Sequence, residues 1–175
     1  QNKLSSILDG SDEKLQSLNE NKEKLYETYQ EELEKVDKDM AEQVDTLKQD
    51  IDSKQDEIDS KDQEIADQEG VVSESENAYN NAVSTRENLE ASLSALQGVD
   101  TSDMDSDKKS ELSSKIAELQ SKISDAKEAE NNAKEAWDNA EERLDTLNKE
   151  RETLQGELDE LEKQMTDLEA EIVEK

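Results

Sequence analysis

Residues 112–172 read LSSKIAELQSKISDAKEAENNAKEAWDNAEERLDTLNKERETLQGELDELEKQMTDLEAEI. Apolar side chains recur here at alternating spacings of four and three, which is the heptad pattern of a coiled coil with core positions a and d. We call these core positions the seam; Glu130 and Arg151 are its charged members. The positions are Leu112, Ile116, Leu119, Ile123, Ala126, Glu130, Ala133, Trp137, Ala140, Leu144, Leu147, Arg151, Leu154, Leu158, Leu161, Met165, Leu168 and Ile172.

A second heptad pattern precedes this stretch and predicts a first arm over residues 33–97. Its a positions are Val44, Ile51, Ile58, Ile65, Val72, Tyr79, Arg86 and Leu93, and its d positions are Leu47, Lys54, Lys61, Gln68, Ser75, Ala82, Leu89 and Leu96. The middle of this arm carries a local repeat, IDSKQDE, IDSKDQE and IADQEGV, which begins at Ile51. Each apolar a residue there is followed by a polar d residue. This arm should therefore pair more stably with a helix that has a more apolar seam than with a second copy of itself.

The pattern stops between the two arms, and residues 98–110 predict a turn. Gly98 suits the left-handed conformation that ends many helices, and the Ser and Asp residues between Ser102 and Asp107 suit the start of the next helix. We therefore predict an all-α fold, a long antiparallel coiled-coil hairpin of two helices with a short acidic turn. The second arm spans residues 111–175.

Antiparallel pairing of the arms suggests a register in which facing residue numbers add to about 208 or 209. In this register a faces a and d faces d. Lys54 and Lys61 face Leu154 and Leu147, so that each lysine stem lies along a leucine. Trp137 falls opposite Val72, with Gly70 expected to make room for its indole. Arms of about 65 residues would be roughly 100 Å long at 1.5 Å per residue.

Residues 1–32 carry leucines at helical spacing but have no mate within this sequence in this register, so their mates would be residues beyond Lys175 or another chain. We expect an N-terminal helical segment that extends past the hairpin, with a possible break at Gly10 and Ser11. Exposed apolar stripes mark interfaces. The candidate partner-binding residues are therefore Leu15, Leu18, Leu25, Tyr26, Tyr29 and Leu33.

Composition restricts the class of protein. Of 175 residues 30% are apolar and 41% charged, which is too little apolar surface for a compact core; sustained heptads argue against the alternative of disorder. The net charge of -29 disfavours nucleic acid and anionic lipid as partners. Both arms share the excess of acidic residues: residues 33–97 carry 18 acids and 6 bases, and residues 111–175 carry 20 acids and 9 bases.

The sequence contains few of the side chains that catalytic sites commonly use. The chain has no His and no Cys, which removes the commonest general base and the thiolate ligands. Alternate aspartates from Asp100 to Asp107 could offer oxygens to Ca²⁺, but an EF-hand would need Gly and Glu where Lys108 and Ser114 stand. We expect helix capping there, with weak Ca²⁺ binding as the alternative. No cofactor, metal, small-molecule substrate or enzymatic activity is expected.

Two families have similar coiled coils. The run IDSKQDEIDSKDQEIADQEG resembles the N-terminal coiled coils of secreted bacterial peptidoglycan hydrolases and murein-hydrolase activators. The alternation of AYNNAVSTRENLEASLSALQ, an acidic turn and LSSKIAELQSKISDAKEAE resembles the coiled coil of type III secretion translocators. Either resemblance implies a bacterial, secreted or cell-envelope protein. No residue role follows from them.

These observations predict a non-enzymatic structural and interaction module. It would serve as a spacer, stalk or regulatory arm with a protein-binding surface. The alternatives are an autonomous oligomerisation module, in which hairpins form a bundle, and a segment of a secretion translocator. Because the chain starts at Gln1 without Met, we expect it to be part of a larger protein.

Overall fold

Two long helices make up the fold in a computed structural model that describes residues 2–174. Helix α1 spans Asn2–Gln97 and helix α2 spans Ser106–Glu174, with the turn at residues 98–105 between them. The helices pack against each other as an antiparallel hairpin, which confirms the predicted all-α fold. The break expected at Gly10 and Ser11 is not found, since α1 continues through both residues.

The chain divides into two compact units. Unit 1 comprises residues 1–54 and 157–175, and unit 2 comprises residues 55–156. Unit 2 contains the turn and one stretch of each helix. Unit 1 contains the N-terminal half of α1 and the end of α2.

Burial confirms the predicted heptad phase along both helices. All sixteen predicted a and d positions of α1 from Val44 to Leu96 are buried or half-buried. In α2 the same holds for every seam position except Ile172, which is exposed. The buried side chains are Ile58, Ile123, Ala126, Ala140, Leu147, Leu158, Met165 and Leu168. In each unit the core is therefore a narrow seam of a and d side chains, as a two-helix coiled coil requires.

Contacts across unit 2 correct the predicted register. The rings of Tyr79 and Trp137 lie 5.5 Å apart between centroids, whereas Trp137 was expected against Val72, seven positions earlier in α1. Lys61 Nζ contacts Glu150 Oε2 at 2.7 Å, three positions beyond the expected Leu147. A Cβ placed on Gly70 would meet nothing within 4 Å, so Gly70 does not accommodate the indole.

Side-chain direction explains much of this difference. Side chains on a helix lean toward its N-terminus, so facing side chains of antiparallel helices meet when their Cα atoms are offset. Gln68 contacts its expected mate Ala140, while Arg86 contacts Glu130, seven positions beyond its expected mate Ile123. The residue numbers in these two contacts add to 208 and 216, and each contact joins positions of the same kind, d with d and a with a.

The packed part of unit 1 joins the end of α2 to the middle of α1. Leu158, Met165 and Leu168 are buried on α2, and Val44 and Leu47 are half-buried on α1. Lys54 Nζ contacts Glu157 Oε2 at 2.7 Å, so the lysine at this d position directs its ammonium to a carboxylate of the other helix. Apolar burial and a charged rim together hold the two segments of this unit.

Different hydrogen bonds stabilise the two ends of the turn. Gly98 N–H donates to Ser94 O at 3.1 Å and Val99 N–H to Leu96 O at 3.3 Å, so α1 ends in a tightened last turn. Gly98 does not have positive φ, and the predicted left-handed cap was wrong. Asp105 caps α2: its Oδ1 accepts from the Lys108 backbone N–H at 2.8 Å, as expected for an acidic residue at this place.

Candidate protein-interaction surface

An apolar stripe runs along the N-terminal part of α1 in unit 1. We call it the N-terminal stripe and define it by the exposed side chains of Leu4, Ile7, Leu8, Leu15, Leu18, Leu25, Tyr26, Tyr29, Leu33 and Val36. The exposed fraction is between 57% and 71% from Leu4 to Tyr29, and falls to 41% at Leu33 and 38% at Val36. All six sequence-predicted partner-binding residues belong to this stripe and are exposed.

Helix geometry places these side chains on one face. At 3.6 residues per turn, the positions from Leu4 to Val36 fall within an arc of about 100°. The half-buried residues Val44, Leu47 and Ile51 of the same helix fall within the same arc. The face that packs on α2 in the middle of α1 therefore continues, uncovered, toward the N-terminus.

The stripe is longer than the predicted binding surface. Four exposed large apolar side chains of the stripe were not in the predicted partner-binding set: Leu4, Ile7, Leu8 and Val36. All four lie on the arc of the predicted residues, so the 3.6-residue period would have identified them. Gln30 is half-buried at the edge of the stripe, where the tyrosines lie nearby in sequence.

Two tyrosines of the stripe line a groove on the surface of α1. Tyr26 and Tyr29 flank a shallow open groove that also involves Lys22 and Leu25. Its walls come from a single helix, so a catalytic cleft would need far more enclosure. A tyrosine combines a large apolar ring with a hydroxyl that stays hydrated, which is typical of anchor residues at protein interfaces.

The hairpin seam is polar at several layers, and in unit 2 the side chains of Lys61, Gln68, Arg86 and Arg151 each have a partner across it. Arg86 binds Glu130 through its guanidinium, and Arg151 binds Asp62. Gln68 Nε2 donates to the backbone carbonyl of Ala140 at 3.0 Å. The hydrogen bonds that Lys61 donates to the carboxylates of Glu150 and Glu64 raise the pKa of Lys61. Polar layers of this kind specify register and orientation.

Trp137 lies within the seam of unit 2. It is half-buried and its ring packs on Tyr79, which supports its predicted position in the seam. Lys134 Nζ lies 4.5 Å from the Trp137 ring centroid and 5.7 Å from that of Tyr79. Its hydrogen bond to Asp138 raises the pKa of Lys134 and keeps the cation in place. Lys134 was not predicted from the sequence to contact this ring, although its i to i+3 spacing from Trp137 could have indicated the contact.

The aspartates of the turn are engaged locally. Asp100 Oδ1 accepts from the Ser102 hydroxyl and from its backbone N–H, and these bonds lower the pKa of Asp100. Asp105 caps α2. Among residues 2–174, no group of three or more Asp, Glu, His or Cys side chains is arranged to hold a metal ion.

Comparison with known proteins adds no assignment. No known family, no curated protein and no solved structure matches this chain. Neither helix, over its described residues, contains a stretch that is long and apolar enough to cross a membrane. A proposal for the function therefore rests on the helical hairpin and its exposed N-terminal stripe.

Proposed function

We propose that this protein is a non-enzymatic structural and interaction module: a coiled-coil hairpin that acts as a spacer, stalk or regulatory arm and presents the N-terminal stripe to a protein. The supporting observation is the exposure of ten large apolar side chains on one helical face that is continuous with the packed face of α1. Contiguous apolar patches of this kind mark interaction sites on soluble proteins.

A protein partner fits the stripe better than nucleic acid or lipid does. The net charge of -29 opposes approach of a phosphate backbone or an anionic membrane. The stripe instead has the spacing by which helices recognise helices, with anchors at three- and four-residue intervals. We therefore favour an amphipathic helix as the structure that covers it.

The alternative of hairpins bundled side by side has less support. Between Ile51 and Leu168, the exposed large apolar side chains are isolated ones, Val71 and Val99. A bundle needs a second apolar face on each helix pair. Association through the N-terminal stripe does not need one. The resemblance to secreted coiled coils favours a bacterial cell envelope as the setting.

The test is site-specific photo-crosslinking in the cells that make the protein. A photoreactive amino acid replaces Tyr26 in the stripe, and the matched control replaces Glu20, which lies on the opposite face of α1. We expect a discrete protein adduct from position 26 that disappears when Leu18→Glu is added, and that purified components reproduce. No adduct, or the same adducts from both positions, would contradict the proposal. An adduct to a second copy and an adduct to another protein both support it.

A further inference from the structure

The heptad pattern of the N-terminal stripe is symmetric about its middle, and this symmetry indicates what covers the stripe. Between Leu4 and Tyr29 the spacing is strictly heptad, and its core positions are Leu4, Leu8, Ser11, Leu15, Leu18, Lys22, Leu25 and Tyr29. Six of these are apolar and exposed, and the two polar ones, Ser11 and Lys22, are placed symmetrically about the middle. We infer that a second copy of this chain covers the stripe, through antiparallel pairing of residues 4–29 with the same residues of the partner.

The pairing follows from a two-fold axis between Gln16 and Ser17. Leu15 then faces Leu18 of the other copy, and every interaction occurs twice, as in an isologous interface. Further out, Ser11 faces Lys22, so the polar positions coincide. Leu8 faces Leu25, and the outermost layer joins Leu4 to Tyr29. In this register every apolar core residue meets an apolar one.

Neighbouring registers lack this match. A displacement by one heptad toward the C-terminus puts Lys22 against Leu18 and Ser11 against Tyr29. Displacement toward the N-terminus puts Lys22 against Leu4 and Ser11 against Leu15. Parallel pairing puts Lys22 against Lys22, and like charges that face each other are destabilising. The antiparallel register with its axis between Gln16 and Ser17 is thus the favoured one.

The flanks of the stripe carry few charges. The e and g positions beside the core are Ser5, Ile7, Asp12, Lys14, Asn19, Asn21, Tyr26 and Thr28. In the antiparallel register Lys14 lies across from Asn21 and Asp12 across from Asn19, so no two like charges meet. The glutamates at positions 13, 20 and 27 lie on the outer face. Two chains of net charge -29 can therefore approach here with little local repulsion.

Within residues 2–174, no part of α2 covers the stripe. In unit 1, residues Leu168 and Glu171 of α2 lie beside Gln43 and Leu47, which are well removed along α1 from Tyr29. The stripe from Leu4 to Tyr29 is exposed along its whole length. It shares the helical face of Leu47, so dimerisation would extend the same kind of seam.

This inference rests on the proposed function and is tested in the full chain by sedimentation equilibrium. Concentration is varied from about 1 µM to about 300 µM, a range that includes weak specific complexes. We expect the mass to rise from 19.8 kDa to twice that value. Leu18→Glu should keep the chain monomeric, while Ser17→Glu, which adds the same charge on the outer face, should still dimerise. Far-ultraviolet circular dichroism checks that both variants stay helical.

Orientation is tested with single cysteines, since the chain has none of its own. Leu15→Cys and Leu18→Cys chains are mixed and oxidised. Antiparallel pairing favours the mixed disulfide, whereas parallel pairing favours the two symmetric ones. A chain that stays monomeric, a dimer that survives Leu18→Glu, or a preference for symmetric disulfides would overturn the inference. A monomer whose position 26 crosslinks to another protein would overturn it and leave the proposed function standing.

Discussion

Arg86 on α1 reaches across the seam of unit 2 to Glu130 on α2. The guanidinium also binds Glu90 on its own helix, at 3.0 Å from Nη1 to Oε2. Arg86 and Glu130 both occupy a positions, where a coiled coil normally buries apolar side chains. The hydrogen bond to Glu130 raises the pKa of Arg86 further, so the guanidinium keeps its charge throughout the ordinary pH range.

Removing one partner of this layer should destabilise the hairpin more than removing both. Arg86→Leu leaves the Glu130 carboxylate in the seam without its main partner, and Glu130→Leu does the same to the guanidinium. The double variant fills the layer with leucines, which pack well at a and d positions. We expect both single variants to unfold at lower urea concentration than the parent, and the double variant at the same or higher concentration. A double variant less stable than either single one would contradict this.

The Lys61–Glu150 pair should make stability depend on pH. The hydrogen bond from Lys61 lowers the pKa of Glu150 from its usual 4.5, and Glu150 in turn raises the pKa of Lys61 from 10.5. The stabilising contribution of this pair is therefore present at neutral pH. It decreases as pH falls below 4.5 through the folded-state pKa of Glu150, and also as pH rises above 10.5 through that of Lys61.

Thermal melts of Glu150→Gln and the parent measure this contribution. We expect the difference in melting temperature to be largest at neutral pH and to vanish at acidic pH. Glu142→Gln removes the same charge from the outer face of α2 and serves as the control, with a small difference at every pH. A Glu150→Gln difference that stayed constant on acidification would exclude the ion pair as its cause.

Much of the fold could be predicted because the heptad phase is contained in the sequence. Which residues of α2 enter the seam depends on local periodicity, so positions such as Ile123 and Leu147 were identified correctly. Register depends instead on a comparison of whole layers, and small displacements still pair seam positions with seam positions. Which of these registers forms depends on how side chains reach across the seam, and this cannot be read from the heptad pattern. Trp137, for example, contacts Tyr79 and not the expected Val72.

The candidate surface was predictable for the same reason. Tyr26 and Tyr29 share the phase of the leucines, and the lack of a mate in the antiparallel register predicted their exposure. The backbone conformation that ends α1 was not predictable at this level. A glycine such as Gly98 permits a left-handed cap but does not require one, and the backbone bond from Val99 to Leu96 supplies another ending.

Salt should stabilise the hairpin. Both helices are acidic and the whole chain carries -29, so repulsion between them acts over distances comparable with the Debye length, about 10 Å at 0.1 M salt. Screening also weakens the attractive pairs, such as Lys54–Glu157, but partly exposed pairs contribute little. We expect the melting temperature to rise between low and physiological ionic strength. A fall would show that the ion pairs outweigh the net repulsion.

Trp137 should contribute to stability through its contact with Tyr79. It is half-buried, so replacing it by Ala should cost about 2 kcal/mol of unfolding free energy, below the range for a fully buried aromatic residue. Trp137→Phe keeps a ring in the layer and should cost less. Urea unfolding followed by circular dichroism measures both. Equal effects of the two variants would indicate that the ring contact contributes nothing.

Ala140 tests how closely the helices approach in unit 2. This alanine is buried, and its backbone carbonyl accepts the Gln68 hydrogen bond, so the space beside its methyl group is filled by α1. Ala136, one turn earlier on the same helix, is exposed. Leucine and alanine have similar helix propensities, so Ala136→Leu is a matched control for Ala140→Leu. Overpacking should cost Ala140→Leu about 1 to 3 kcal/mol of unfolding free energy, while Ala136→Leu stays within about 0.5 kcal/mol of the parent. If both variants were equally stable in urea, the helices would not be in close contact at this layer.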